Sequence, residues 1–285
     1  MSKAAFVAII GRPSAGKSTL VNKICGEKVS IVSAVPQTTR DAIRGICTRE
    51  RGQLVFVDTP GRHKSEKKFN IKLSEISAKA VEDSDLVLYV LDSTRPPGSE
   101  EIEIATLLAP HSGRTIAVIN KIDDKNADTA KAREFISQYL PDLSSKVLQV
   151  SAKTGEGVEP LLEALYAMAP EGEAFYDAEY YTDQEVDFRI AEIIREKAIN
   201  RLRDEIPHAL RVEIADTKFD ANAENGRGKL WVRAFILVER ESQKGIVVGK
   251  GGLMVRAIRL AALKELDRIF DWKIELDLRV KAGNR

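Results

Sequence analysis

Gly11-Arg12-Pro13-Ser14-Ala15-Gly16-Lys17-Ser18 is the stretch on which the fold turns. It has the spacing GxxxxGK[ST]. It follows an apolar strand candidate at residues 6–10, and residues 18–25 after it can continue as a helix. A glycine-rich turn between strand and helix points backbone N–H groups and the positive end of the helix at one place, which suits phosphate oxygens. Gly11 and Gly16 allow backbone geometry that a Cβ obstructs. Lys17 is placed to reach β- and γ-phosphates and Ser18 to ligate Mg²⁺, with Arg12, Pro13, Ser14, Ala15 and Thr19 completing the cradle. Taken alone, the octet also fits a strand–helix turn with an exposed lysine.

Working outward, short runs at 6–10, 54–57, 86–91, 115–119 and 147–150 are rich in Val, Ile and Leu with little alternation. That is the pattern of strands buried on both faces of a mostly parallel sheet. Helical patterns at 67–82, 99–109, 126–139 and 157–168 lie between or after them, which predicts a doubly wound α/β domain with ligands at the C-terminal strand ends. The pattern changes after Met168. A first domain is expected over 1–170, an acidic linker over 171–184 and a smaller α+β domain over 185–285. The second domain reads α-β-β-α-α-β: a helix at 185–204, strands at 211–218 and 229–239, a turn Gly249-Lys250-Gly251-Gly252 before a helix ending near Phe270, and a period-two strand at 273–280. Trp231 and Trp272 are expected in its core.

Three further motifs each follow a strand candidate. Asp58-Thr59-Pro60-Gly61 offers a carboxylate for Mg²⁺ and a Gly61 amide for a γ-phosphate. In Asn120-Lys121-Ile122-Asp123, the Asp123 carboxylate can accept from both the N1–H and the exocyclic amine of guanine. Adenine lacks that donor pair. Lys121 would lie along the base and Asn120 would tie the loop to the phosphate region. In Ser151-Ala152-Lys153, the Ala152 amide can donate to guanine O6. Each motif alone has an ordinary reading as a strand-end loop. Four in this order point to GTP and GDP with Mg²⁺.

The bulk properties agree. The chain has 285 residues, 44% hydrophobic and 31% charged, with a net charge of +1, so no polyanion partner follows from charge alone. Residues 185–285 hold 21 basic against 17 acidic residues, and residues 171–184 hold five acidic and no basic ones. Two cysteines, Cys25 and Cys47, fit small buried apolar residues in a reducing compartment. No signal-peptide layout or apolar span is legible, so the cytoplasm is the expected location.

These motifs resemble those of the translation-factor-related GTPases. Gln37-Thr38-Thr39-Arg40 is similar to the first switch of that group, and the resemblance assigns Mg²⁺ and γ-phosphate contact to Thr39, with Thr38 as the alternative. The second domain, with its Gly-x-x-Gly loop between helices, resembles a type II KH domain. The pairing, with 204–208 and 245–252, is similar to the Era family of bacterial ribosome-assembly GTPases over nearly the whole chain. The resemblance implies a GTPase that uses Lys17, Thr39 and Gly61, with Mg²⁺ held by Ser18, Thr39 and Asp58, and hydrolysis is expected to be slow because no water-positioning side chain is evident in the sequence. It also implies binding to the 3′ end of 16S ribosomal RNA and the small (30S) subunit, some peripheral inner-membrane contact, and no DNA. A monomer is expected. A KH fold clamps single-stranded RNA at its GxxG loop. Gly249, Lys250, Gly251 and Gly252 are the expected RNA contacts, extended by Arg240, Lys244, Arg256 and Arg259.

Two positions depart from the family. Arg62 follows the DxxG motif where related enzymes carry a water-positioning glutamine or an apolar residue. A guanidinium has no acceptor with which to orient water, and solvent or RNA is its favoured neighbour over γ-phosphate. Ser14 stands where the family usually has asparagine, and its shorter reach puts a K⁺ role in question. These departures keep an alternative open, a GTP-gated RNA-binding scaffold with negligible intrinsic hydrolysis. A basic cluster of Arg62, His63, Lys64, Lys67 and Lys68 suits RNA or a solvated switch.

Overall fold

A computed structural model describes residues 2–33, 43–59, 68–202, 206–221 and 228–283. The chain forms two compact units, the first running to Asp183 and the second from Gln184.

In the first unit the order is β1 (Lys3–Ile10), α1 (Lys17–Cys25), β2 (Ile43–Arg49), β3 (Gly52–Asp58), α2 (Lys68–Asp83), β4 (Leu86–Asp92), α3 (Ser99–Leu108), β5 (Thr115–Asn120), α4 (Thr129–Tyr139), β6 (Val147–Gln149) and α5 (Val158–Met168). The sheet order is β2-β3-β1-β4-β5-β6, with every pairing parallel except β2–β3. All seven residues of β4 and all six of β5 are buried, which explains their unbroken apolar runs. Tyr89, Leu91, Ile104, Leu108, Ile119 and Ile136 belong to the packing between sheet and helices. At β1 the chain leaves first towards β3 and then towards β4 on the other side. The C-terminal end of β1 is therefore a topological switch point, where open α/β sheets bind ligands.

Strand β2 is not among the sequence expectations. Arg44, Gly45, Thr48 and Arg49 interrupt its apolar residues, and it becomes a strand by pairing antiparallel with β3. Gly45 has a steric reason, because a Cβ there would lie 2.6 Å from the Val21 side chain. Both cysteines are free. Cys47 is buried as expected, but Cys25 is only half-buried.

The acidic stretch after Pro170 is not a bare connector. Ala4 N donates to Pro170 O, Gly172 N to Ser2 O and Ile46 N to Tyr181 O. The Gln53 carboxamide accepts from Phe175 N and Tyr176 N and donates to Tyr176 O, while Thr182 Oγ1 donates to Arg44 O. Phe175 packs on Phe6 with ring centroids 4.5 Å apart, and Asp183 pairs with Arg44 at 2.7 Å. Residues 171–183 are thus a strap on the first unit. Its acidic composition hid the backbone pairing that fastens it.

The second unit runs α6 (Val186–Ile199), α7 (Ile206–Ala209), β7 (Arg211–Asp220), β8 (Lys229–Val238), α8 (Glu241–Val248), α9 (Leu253–Ile269) and β9 (Lys273–Ala282). Its sheet order is β7-β8-β9, antiparallel and then parallel. Leu230, Val232, Ala234, Ile236 and Val238 form the buried face of β8, in one core with Ile190 and Ile194 of α6 and Ile258, Ala262 and Leu266 of α9. Trp231 is on the opposite, half-exposed face and carries Arg233 at 5.0 Å from its ring centroid, so it is not a core residue. Trp272 packs at the edge of the core, stacked on Phe270 with centroids 5.3 Å apart. The first helix is shorter than its apolar pattern suggests and stops at Ile199. Among the described residues, no helix is long and apolar enough to cross a membrane.

Candidate nucleotide site and nucleic-acid loop

Each of the motifs lies where a strand of the first unit ends. The loop 11–16 follows β1, Asp58 closes β3, Asn120 closes β5, and Ser151 follows β6. Parallel packing gathers these ends at one edge of the sheet. Gly11 admits no side chain, since a Cβ would stand 2.5 Å from Val90 O. Gly16 takes φ +94° and leads into α1, and a Cβ there would meet Asn120 Nδ2 at 2.3 Å. Ser14 and Lys121 are the non-glycine residues with positive φ among the described residues, and both fall in these loops. Strain of that kind concentrates where geometry is functional.

Asn120 is the joint of the site. Its Nδ2 donates to Ala15 O at 2.9 Å and its Oδ1 accepts from Ala152 N at 3.0 Å, so one buried amide ties the first loop to the last. Ser151 Oγ donates to Asp123 Oδ1 at 2.6 Å and accepts from Thr154 N at 3.0 Å. The Ser151 bond holds the Asp123 carboxyl below its ordinary range, with help from Lys153, whose Nζ lies 3.8 Å away. Asp123 therefore stays an acceptor fixed in direction.

Lys17 is buried, and its Nζ donates to Gly11 O at 2.9 Å and Arg12 O at 3.0 Å. Burial lowers its pKa to about 8, against the pull of Asp58 and Glu101. Asp58 is also fully buried. Burial pushes its carboxyl up, while Lys17, Ser18 and Ser30 act in the other direction. Neither buried carboxylate oxygen of Asp58 makes a well-formed hydrogen bond, and the Ser18 and Ser30 hydroxyls are the donors nearby. A buried carboxylate with unfilled acceptor capacity beside Lys17 and Ser18 is the arrangement a cation would complete. Among the described residues no cluster of three His, Cys, Asp or Glu side chains could hold a metal ion. The residues expected at Thr38, Thr39, Gly61, Arg62, His63, Lys64 and Lys67 lie outside the described residues.

Arg12 is deeper than a phosphate-loop residue needs to be. Its guanidinium donates to Arg95 O and Pro96 O and sits 3.1 Å from the buried Glu101 carboxylate. Asp92, which ends β4, and Ser93 and Thr94 after it are not among the sequence expectations, because no motif marks them. The available signal was an aspartate at the C-terminal end of a buried strand.

In the second unit Gly249 has φ +72° and ψ 170°, and a Cβ there would lie 2.7 Å from Met254 Cβ. Gly251 and Gly252 take φ +60° and +78° with open space around them. The loop thus presents bare backbone, with an exposed Lys250 at its tip and α9 starting just behind it. Arg240 and Arg256 are exposed, Lys244 pairs with Glu241 at 3.4 Å, and Arg259 Nε donates to Leu276 O on edge strand β9 at 2.6 Å. Ile246 and Leu253 flank the loop at 55% and 65% exposure, an apolar pair that the sequence reading did not select.

A model of the 50S ribosome-binding GTPase family matches residues 6–121, and a KH domain model matches residues 205–285. GTPase Era of Treponema denticola is 49% identical over 278 residues, covering 97% of this chain and 93% of that protein. The chain belongs to the Era GTPase family. Era of Treponema pallidum is 43% identical, covering 96% of this chain and 90% of its own. Among solved structures, Era in complex with MgGDPNP and nucleotides 1506–1542 of 16S ribosomal RNA matches with a TM-score of 0.92 at 32% identity, over 100% of this chain and 95% of that one. A single-residue variant of Aquifex aeolicus Era bound to GDP·AlF4⁻ matches with a TM-score of 0.91 at 32% identity, over 99% and 94%. The fold expected from the sequence, a nucleotide-binding α/β domain followed by a KH domain, is the Era fold.

Proposed function

We propose that this Era-family chain binds and hydrolyses GTP, and that its nucleotide state governs how the KH unit holds the 3′ end of small-subunit ribosomal RNA during maturation of that subunit. The observation that carries the reading is the Asn120 amide joining the phosphate loop to the loop of Ala152, with Asp123 aimed and held ionised by Ser151. The Era relative bound to MgGDPNP and 16S RNA supports both ligands, and the relative bound to GDP·AlF4⁻ supports hydrolysis over a nucleotide-gated scaffold. The small-subunit target follows these relatives rather than the name of the broader family model. We place this work in the cytoplasm, by a monomer.

Backbone amides of 11–16 and the N-terminus of α1 bind the phosphate chain. Lys17 would exchange its carbonyl partners for β- and γ-phosphate oxygens, which favours its charged form. Asp123 would accept the two guanine donors, Ala152 N–H would face O6, and Lys121 would cover the base. Ser18 and Asp58 would hold Mg²⁺ together with Thr39, and the ion would supply charge neutralisation at the β- and γ-oxygens. Arg62 after the DxxG motif has no acceptor with which to orient a water, which fits slow hydrolysis without a partner. In the KH unit the bare Gly249–Gly252 backbone would admit the sugar-phosphate chain, Lys250 would meet phosphate, and Ile246 and Leu253 would face bases.

Two measurements test this. Calorimetry should give GTP and GDP binding far tighter than ATP, and equal affinity for GTP and ATP would end the reading. Titration of a 16S 3′-end RNA at fixed salt should give different affinities with a GTP analogue and with GDP. Equal affinities would remove the switch, and phosphate release that small subunits leave unchanged would remove the ribosome as activator.

A further inference from the structure

Asp92 ends β4 directly beside Asn120, its register partner on β5. Its side chain is fully buried, and its charge is shared among Thr94, Lys121 and, more distantly, Arg12. Oδ1 accepts from Thr94 N at 2.9 Å and Thr94 Oγ1 at 2.6 Å, which folds the following loop back on itself. Oδ2 meets Lys121 Nζ at 2.8 Å and stands 3.9 Å from Arg12 Nη2, the weaker of its two cationic contacts. Burial acts against the ionised carboxyl, and the bonds from Lys121 and Thr94 more than offset it. The loop that Asp92 opens is itself fixed from the other end of the site. Arg12 donates to Asp92 O at 3.4 Å, Arg95 O at 3.0 Å and Pro96 O at 3.2 Å, with its own charge met by Glu101. Phosphate loop and base loop thus converge on one segment, 92–96.

We propose that Asp92 is a positioning residue for guanine-nucleotide affinity, acting through Lys121, on a loop that Arg12 anchors to the phosphate end. The inference rests on the GTP reading above. Lys121 holds a left-handed backbone, φ +66°, that a lysine adopts at a cost. An unrestrained lysine side chain carries about 2 kcal/mol of rotamer entropy. Ion pairing to a buried carboxylate on the neighbouring strand fixes the stem before the base arrives, so nucleotide binding need not order it. Asp92 touches neither base nor phosphate in this arrangement. Its effect falls equally on GTP and GDP, because it acts at the base end.

The test is a double-mutant cycle on the full chain, read with fluorescently labelled GDP and GTP and with thermal denaturation of the nucleotide-free protein. Asp92→Asn is expected to weaken both nucleotides about tenfold, mostly through faster release. In a Lys121→Met background the same change is expected to cost less than about twofold. Thr94→Val removes the hydroxyl bond to Oδ1, leaves the backbone bond and the ion pair, and should stay within about twofold of the wild type. Should Asp92→Asn fail to fold, Asp92→Glu, which keeps a carboxylate, is the second variant and should bind within about threefold of the wild type. The inference is overturned if Asp92→Asn costs the same with and without Lys121, if Thr94→Val reproduces its effect, or if Asp92→Glu binds as poorly as a variant without charge. Wild-type protein that binds neither nucleotide would overturn the GTP reading itself, and this inference with it.

Discussion

Raising the pH from 7 to 8.5 should make nucleotide binding take up protons, through Lys17. In the free protein burial lowers this lysine from its ordinary 10.5 to about 8. At about pH 7 and below the ammonium is charged in the free and the bound states alike, and binding is nearly indifferent to pH on its account. Above pH 8 the free protein sheds the proton first, while a triphosphate beside Nζ favours keeping it. At pH 8.5 roughly three quarters of the free lysine is neutral, so binding should draw in about 0.75 proton. Affinity should then fall up to about tenfold per further pH unit, some 1.4 kcal/mol. The nucleotide-free fold shows the converse. An unfolded lysine keeps its proton up to its ordinary pKa, so between about pH 8 and 10.5 the unfolded state binds more protons and stability rises with pH. The assay is calorimetric titration with GDP at pH 7 and 8.5 in buffers of different ionisation enthalpy, with Lys17→Arg as the variant that cannot lose its charge. Uptake below about 0.2 proton at pH 8.5 in the wild type would refute the linkage, as would equal uptake in Lys17→Arg.

Other outcomes follow from single contacts. Asn120→Ala removes the bonds to Ala15 O and Ala152 N, leaves both groups buried, and should cost about 2–4 kcal/mol of GDP affinity, measured by fluorescence titration. Gly249→Ala forces a Cβ to 2.7 Å from Met254 Cβ at φ +72° and should destabilise the KH unit by about 2 kcal/mol or more, whereas Gly251→Ala, in open space, should cost about 1 kcal/mol. Trp231 and Trp272 are the chain's two tryptophans and both lie in that unit, so fluorescence during urea denaturation reports it selectively. Lys250→Ala should weaken RNA uniformly across sequences and lower the salt slope of binding by about 1, read from titrations at several salt concentrations.

The sequence carried the parallel sheet because β4 and β5, buried on both faces, leave runs of Val, Ile and Leu with no polar interruption. It carried the nucleotide loops because phosphate cradles and guanine acceptors need particular residues at fixed spacing. What it did not carry depends on partners distant in sequence. Strand β2 owes its conformation to β3, and the strap at 171–183 owes its order to Gln53, Ile46 and Phe6. Trp231 reads as core by residue type, yet strand parity and the pairing with β7 and β9 set it on the open face. Arg12 and Asp92 were similarly opaque. One matched a variable position of the phosphate loop and the other sat outside every motif, and their roles exist only through contacts between segments far apart in the chain.

The close approach of Gly16 to Asn120 has a consequence for how this protein can change over generations. Any side chain at position 16 would occupy the volume of the Asn120 amide, and a smaller residue at 120 would leave Ala15 O without its donor. Neither position can drift alone. A lineage can abandon this junction only by altering both at once, so random substitution meets a barrier here that exposed loops do not present.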